Sequence, residues 1–427
     1  MNGIIARLSR FLTVAALVTV ALVTSLVGTP MADAAEPVRV PAHVETGLAP
    51  GMAQGAAALT WEGALFAGTE NLFLNVTIPV VFTADGVLPR TWDWARDFAP
   101  ALRVLSYRGE SDDLRVSLFL GEETRLGDDG VARNLLPQLR FEHPGTLASL
   151  QVRRTPVTAR LRLLDVTDPR IGNVSVTADW PRSWRWGASW WGVSRLPVVL
   201  ADSLGEVALD ETQGVVEPAR TRWFSAQQLG VEHERGGWLA GLRLVNLDPT
   251  APAATGALFS LGTARPWHGL SFRIEGGAGG EAWCPWPLGP FFLVREWAAG
   301  LGAFQGGQTL AQRLDARTGP GWGAQVQAAW ESDKVALRAG GFATPLERTV
   351  DAAADAFLGR RFILAAHGAW DVERRAWSLS LETRLALGRR WFVWGRAQSL
   401  YALDAEAGRY ARVDLLMLGV GIRARLE

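Results

Sequence analysis

One cysteine, Cys284, stands in 427 residues, so no internal disulfide is possible. Lysine is also nearly missing, with Lys334 alone among 43 basic residues, and only three tyrosines occur. There is no charge of one sign to spare, since 43 acidic residues balance the basic ones, and this excludes a nucleic-acid footprint. Beyond the first thirty residues no apolar run is long enough for a membrane-spanning helix. The five histidines, His43, His143, His233, His268 and His367, lie far apart and form no metal-spacing pair. There is no G-x-S-x-G elbow, though triads can assemble from distant strands, so an enzyme remains as a minor alternative. No metal or cofactor is expected. No low-complexity linker divides the chain.

What is present is a short unit repeated from about Ala58 to the C-terminus. About ten residues alternate apolar and polar, and a polar or Gly/Pro turn follows. Val157-Thr158-Ala159-Arg160-Leu161-Arg162-Leu163 is one copy, and Trp322 to Trp330 is another. A soluble sandwich rarely runs through so many strands in one domain. A closed barrel in lipid needs this pattern, because lipid meets one face, water meets the other and no edge stays unpaired. The reading is therefore all-β: a single transmembrane antiparallel up-and-down barrel over 57–427. About 18 strands are expected, within 16 to 20, from 57–66 to 411–425, with 134–143 and 290–303 among them. Residues 345–359 are expected to hold a short helix.

The N-terminus reads as an export signal. Arg7 and Arg10 precede the uncharged stretch Leu12 to Val27, and Ala32-Asp33-Ala34 supplies a small-x-small cleavage site. Residues 1–34 are the expected signal peptide. Residues 35–56, interrupted by Pro37, Pro41, Gly47, Pro50 and Gly51, are expected to be a periplasmic lead-in rather than part of the barrel.

Period two also assigns faces. Charge on the lipid face costs about 2–4 kcal/mol at the midplane, so the arginines belong in the lumen. The expected inner set is Arg115, Arg153, Arg160, Arg162, Arg243, Arg273, Glu275, Glu331, Arg338, Glu382 and Arg384. Two roles stay open for it: lining a hydrated path for polar or anionic solutes, or bracing the interior with Arg–Glu ladders. Indole favours the membrane–water interface, which suits a chain with 20 tryptophans. Trp184, Trp186, Trp238, Trp322, Trp330 and Trp377 are the expected girdle. Trp322 and Trp330 are about 26 Å apart along an extended strand, or roughly 20 Å along the normal of a tilted one, near the height of an apolar band.

The whole mature chain resembles a Gram-negative outer-membrane β-barrel, except that it ends on Arg425-Leu426-Glu427 rather than on an aromatic residue. A looser resemblance covers about 80–180. It is carried by Leu88-Pro89-Arg90-Thr91-Trp92-Asp93-Trp94-Ala95-Arg96-Asp97-Phe98-Ala99, the segment Leu102 to Tyr107, Gly121, Gly127 and Gly130, and Leu163-Leu164-Asp165-Val166-Thr167-Asp168-Pro169. These are similar to large barrels of polysaccharide export systems, although Gly127-Asp128-Asp129-Gly130 replaces a Gly-His-Gly-like turn. The resemblance implies residence in the outer membrane among lipid and lipopolysaccharide, and a passage for polar solute or secreted polysaccharide. It also implies a separate periplasmic export partner. A general porin, and a plugged barrel anchoring an envelope complex, are the rival readings.

Overall fold

The computed structural model describes residues 39–53, 56–69, 71–84, 86–88, 101–111, 114–121, 126–128, 131–135, 146–166, 170–181, 183–199, 208–210, 215–248, 252–288, 292, 296, 309–316, 321–345, 347–358, 361–404 and 409–425. The expected signal peptide lies outside them.

Twenty long strands make the wall. They are β1 (Arg39–Ala53), β2 (Ala56–Thr69), β3 (Leu72–Thr83), β4 (Leu102–Glu110), β5 (Arg115–Gly121), β6 (Leu147–Arg154) and β7 (Val157–Leu163). Then follow β8 (Ile171–Trp180), β9 (Trp184–Val199), β10 (Arg220–Arg235), β11 (Trp238–Asn246), β12 (Thr255–Thr263) and β13 (Leu270–Gly279). The last are β14 (Trp322–Glu331), β15 (Val335–Ala343), β16 (Arg348–Leu358), β17 (Phe362–Asp371), β18 (Ala376–Ala386), β19 (Trp391–Asp404) and β20 (Arg409–Arg425). Each pairs antiparallel with its sequence neighbour, and β1 closes on β20 in the register His43↔Arg425 to Ala53↔Leu415. A three-residue strand, Gly86–Leu88, adds to β3. A helix, α1 (Leu310–Ala316), lies between β13 and β14.

The burial pattern is inverted relative to a soluble fold. On β20, Leu416, Leu418 and Val420 are 57%, 65% and 55% exposed, while the alternate Leu415 and Met417 are at 8% and 2%. The same alternation exposes Phe259 and Leu261 on β12, Ile274 on β13 and Val326 on β14, and buries Ser260, Glu275 and Gln325. An apolar outside with a polar inside is stable only where lipid surrounds the wall, and closure removes the unpaired edge that lipid could not satisfy. The barrel spans a membrane.

Alternation of connection length orients it. At one end the links are short: 70–71, 111–114, 155–156, 181–183, 236–237, 264–269, 332–334, 359–361 and 387–390. At the other end lie 84–101, 122–146, 200–219 and 280–321. Short periplasmic turns and long outer loops are the rule for this architecture, so the second end is extracellular.

Three sequence expectations are corrected. Residues 39–53 are not a lead-in but the first wall strand. Val44, Leu48 and Met52 face out and Glu45, Gly47 and Ala49 face in; Pro41 precedes the residues paired with β20, and Pro50 falls in the gap of that register between Leu48 and Gly51. Residues 348–358 are a strand rather than a helix. The contrast there is weak because the outer face is Val350 with Ala352 and Ala354, and the inner one carries Asp351 and Asp355. The favoured count of 18 was short by these two. Of 134–143 and 290–303, most residues lie outside those described; Arg133–Leu135 pairs with Leu126–Asp128 in a small separate hairpin.

Candidate functional site

The inner face is built from two unlike parts. Near the extracellular mouth it is apolar. Phe224, Ala226, Val245, Leu258 and Phe342 point inward, opposite in parity to the lipid-facing Trp223, Leu229, Leu244, Phe259 and Leu337. They pack into one cluster with Trp283, Trp286, Leu288, Phe292, Leu310 and Leu314, which come from the long segment between β13 and β14. The described residues of that segment therefore fold into the barrel instead of standing above it. Two glycines make room for it: a Cβ on Gly256 or Gly279 would stand 2.3 or 2.5 Å from the Trp283 ring. Burying each indole removes about 150–250 Å² from water, roughly 4–6 kcal/mol apiece as an upper bound. The helix α1 is capped reciprocally, with Gln312 N donating to Thr309 Oγ1 (3.2 Å) and Thr309 N to Gln312 Oε1 (2.9 Å). Glu296 accepts from Leu310 N at 2.6 Å, and Arg222 on β10 donates to Asp315 at 2.9 Å.

Deeper in the barrel the inner face is charged. Arg243 on β11 meets Glu232 (3.1 Å) and Glu275 (3.0 Å), and Arg273 on β13 meets the same two carboxylates at 2.9 and 3.3 Å. Ser260 on β12 accepts a further bond from Arg273 at 3.2 Å. Four strands are thus cross-braced by a box of two arginines and two glutamates. Removing one member of a buried ion pair leaves its partner's charge uncompensated. Glu275→Leu is accordingly expected to destabilise the folded barrel by about 3 kcal/mol, measured by urea unfolding in liposomes; a change inside half a kcal/mol would show that lumen water replaces the pair.

A second network crosses the closing seam. Glu45 on β1 meets Arg384 on β18 at 2.5 Å, Arg423 on β20 at 2.7 Å and His43 at 3.4 Å. Arg396 on β19 meets Glu382 on β18 at 2.7 Å and Glu62 on β2 at 3.4 Å. Around these groups lies a cavity of 420 Å³, also lined by Arg103, Asp355, His367, Phe66, Phe392 and Trp394.

Strand register puts all eleven expected lumen residues on this inner face. Arg243, Arg273 and Glu275 belong to the first network, and Glu382 and Arg384 to the second. Arg160 bonds to Gln151 at 3.0 Å on the neighbouring strand. Arg115 lies across from Arg153 at the periplasmic end and pairs with Glu110. Arg162 shares the inner face of β7 with Arg160, while Glu331 on β14 and Arg338 on β15 are exposed and have the inner-face parity of their strands. Sequence reasoning missed Glu45, Glu62, Glu232, Arg103, Arg396 and Arg423. For Glu45 the signal was hidden in the unrecognised first strand; for Glu232 and Arg396 the alternation was present and not used.

The six expected girdle tryptophans lie on the outer face. Trp184, Trp186, Trp238 and Trp330 stand near the periplasmic ends of their strands, and Trp322 and Trp377 near the extracellular ends. Trp180 and Trp391 extend the first band, and Trp223 and Trp370 the second. Arg412 lies 4.1 Å above the Trp377 ring, a cation–π contact at the outer rim. Cys284 is buried in the infolded segment. Among the described residues no group of His, Cys, Asp and Glu is placed to hold a metal ion.

No protein-family model and no curated protein matches the chain. Among solved structures it is similar to Pseudomonas aeruginosa OccK2 (OpdF) in complex with glucuronate, at 12% identity and a TM-score of 0.35, covering 91% of this chain and 98% of that one. It is also similar to the ferric enterobactin receptor PfeA in complex with BCV-L6, at 10% identity and TM-score 0.36 over 90% and 81%. A loop L8 deletion mutant of OmpT, an outer membrane protein of Vibrio cholerae, gives 7% identity and TM-score 0.26 over 90% and 98%. The fold stands on the register closed between β1 and β20, not on these likenesses. Even strand number, two aromatic bands, short turns at one end and long loops at the other make the chain a Gram-negative outer-membrane β-barrel.

Proposed function

We propose that this barrel is a passage for small polar solutes, narrowed at its outer mouth by the infolded residues 280–288, 292 and 309–316 of the segment between β13 and β14. The observation that carries the reading is the asymmetry of the inner face. One side of the wall, from β9 to β12 with β15, is covered by the apolar cluster of that segment. The charged side, from β16 round the seam to β4, keeps an open cavity. Twenty strands enclose more than side chains can fill; barrels of sixteen to eighteen leave an aqueous channel and those of twenty-two hold a plug in theirs. A partial plug in an intermediate barrel leaves room for solute rather than for a folded domain.

The inner arginines then set ion preference. Arg153 and Arg338 make no ion pair among the described residues, and Arg160 has only the neutral Gln151 as a described partner. The double variant Arg160→Glu, Arg162→Glu is expected to move the reversal potential in a salt gradient toward cation preference, recorded in planar bilayers. An unchanged reversal potential would remove these arginines from the path. Nothing in the described inner face favours a role in polysaccharide export over passage of small solutes. The run that suggested it, residues 89–99, lies outside the described residues.

A further inference from the structure

We propose that the seam cavity is a binding subsite for small zwitterions, solutes bearing one carboxylate and one ammonium group. The inference rests on the passage reading and names the solute class that the passage favours. The cavity lies beside the strands that close the barrel, and 420 Å³ falls in the range of small-molecule sites. Carboxylates (Glu45, Glu62, Glu382, Asp355) and guanidiniums (Arg103, Arg384, Arg396) are close to balance in its wall.

That balance decides against a simple ion. A lone anion gains from the arginines but faces the glutamates, and desolvating a single net charge beside a matched network is costly. A dipolar solute presents each end to its opposite and leaves the balance intact. Its ammonium end has an acceptor waiting. Glu62 Oε2 is buried and accepts no hydrogen bond, lying 3.4 Å from Arg396. Asp355 makes no ion pair among the described residues. The carboxylate end faces the guanidiniums of Arg384, Arg396 and Arg103 in the cavity wall.

The aromatic rings decide against a sugar. Sugar sites commonly offer open aromatic faces, and each ring in this cavity is partnered. Arg384 covers Phe392 at 4.1 Å, Arg396 stands 5.9 Å from the Trp394 centroid, and His43 stacks on Phe66 at 4.7 Å and 7°.

The test uses the refolded barrel and three probes of similar size: glutamine, a zwitterion; glucose, a neutral polyol; and gluconate, an anion. Binding is measured by calorimetry in detergent, and entry by swelling of proteoliposomes. Glutamine is expected to bind more tightly than the other two and to enter fastest. Glu62→Gln should weaken its binding about tenfold, the size of a lost charged hydrogen bond. The heat-modifiable gel shift checks folding, and Asp355→Asn serves where Glu62→Gln fails to fold. Equal binding of glucose or gluconate, or glutamine binding untouched in both variants, would overturn the subsite. Swelling in all three solutes without glutamine binding keeps the passage and removes the subsite. Glutamine binding without swelling in any of them does the reverse.

Discussion

Removing residues 39–53 is expected to abolish the folded barrel. This strand holds two ladders at once, to β2 on one side and to β20 on the other. Without it two edges face lipid with unpaired N–H and C=O groups, each costing several kcal/mol in a medium with no water to replace the bond. Closing β2 directly on β20 would also lose Glu45, whose carboxylate meets Arg384 and Arg423. Gly51 shows how tightly the seam is drawn, since a Cβ there would stand 2.0 Å from the Leu416 carbonyl oxygen. The measurement is the heat-modifiable gel shift after refolding into lipid. The full chain should show a compact, heat-sensitive band, and the deleted chain should show none. A folded band from the deleted chain would mean that nineteen strands close without the first, against the antiparallel register.

Replacing residues 284–318 by a short glycine–serine link is expected to raise single-channel conductance about two- to fivefold, because Trp286, Leu288, Phe292 and α1 occupy lumen cross-section at the outer mouth. The barrel wall should survive. The segment lies between β13 and β14, which remain joined by the register Leu270↔Trp330 to Ala278↔Trp322. Phe224, Val245 and Leu258 would become wet, so some loss of stability accompanies the gain in conductance. Gly256→Val is a gentler version. It keeps every residue of the segment and strikes the Trp283 ring, whose nearest atoms are 2.3 Å from the new Cβ. It should raise conductance in the same direction by a smaller factor. Unaltered conductance in both variants would mean that the segment does not narrow the path.

The wall was largely legible in the sequence because lipid enforces alternation. Strands such as Val157–Leu163 and Trp322–Glu331 put every large apolar residue on one face, and a one-residue error would turn arginines into hydrocarbon. The faces of the expected lumen and girdle residues follow from the same constraint. Two strands escaped for local reasons. In β1 the prolines and glycines mask the alternation, since a proline within a run reads as an edge or a loop. In β16 alanine supplies the outer face and gives little hydrophobic contrast. The infolded segment was not legible, because Trp283, Trp286 and Phe292 meet Phe224, Val245 and Leu258 only after the barrel closes. The two charge networks were half legible. Period two shows which face Arg243, Glu275, Glu382 and Arg384 take, but partners such as Glu232, Glu45 and Arg396 are set by the barrel's shear and by its seam.

The central claim is that a folded, membrane-spanning wall encloses a water-filled path narrowed by the infolded segment. Single-channel recording of the refolded protein in a planar bilayer tests it most directly. The structure predicts discrete openings of uniform size that grow when residues 284–318 are replaced. Folded, heat-modifiable protein that conducts nothing, with or without that segment, would contradict it.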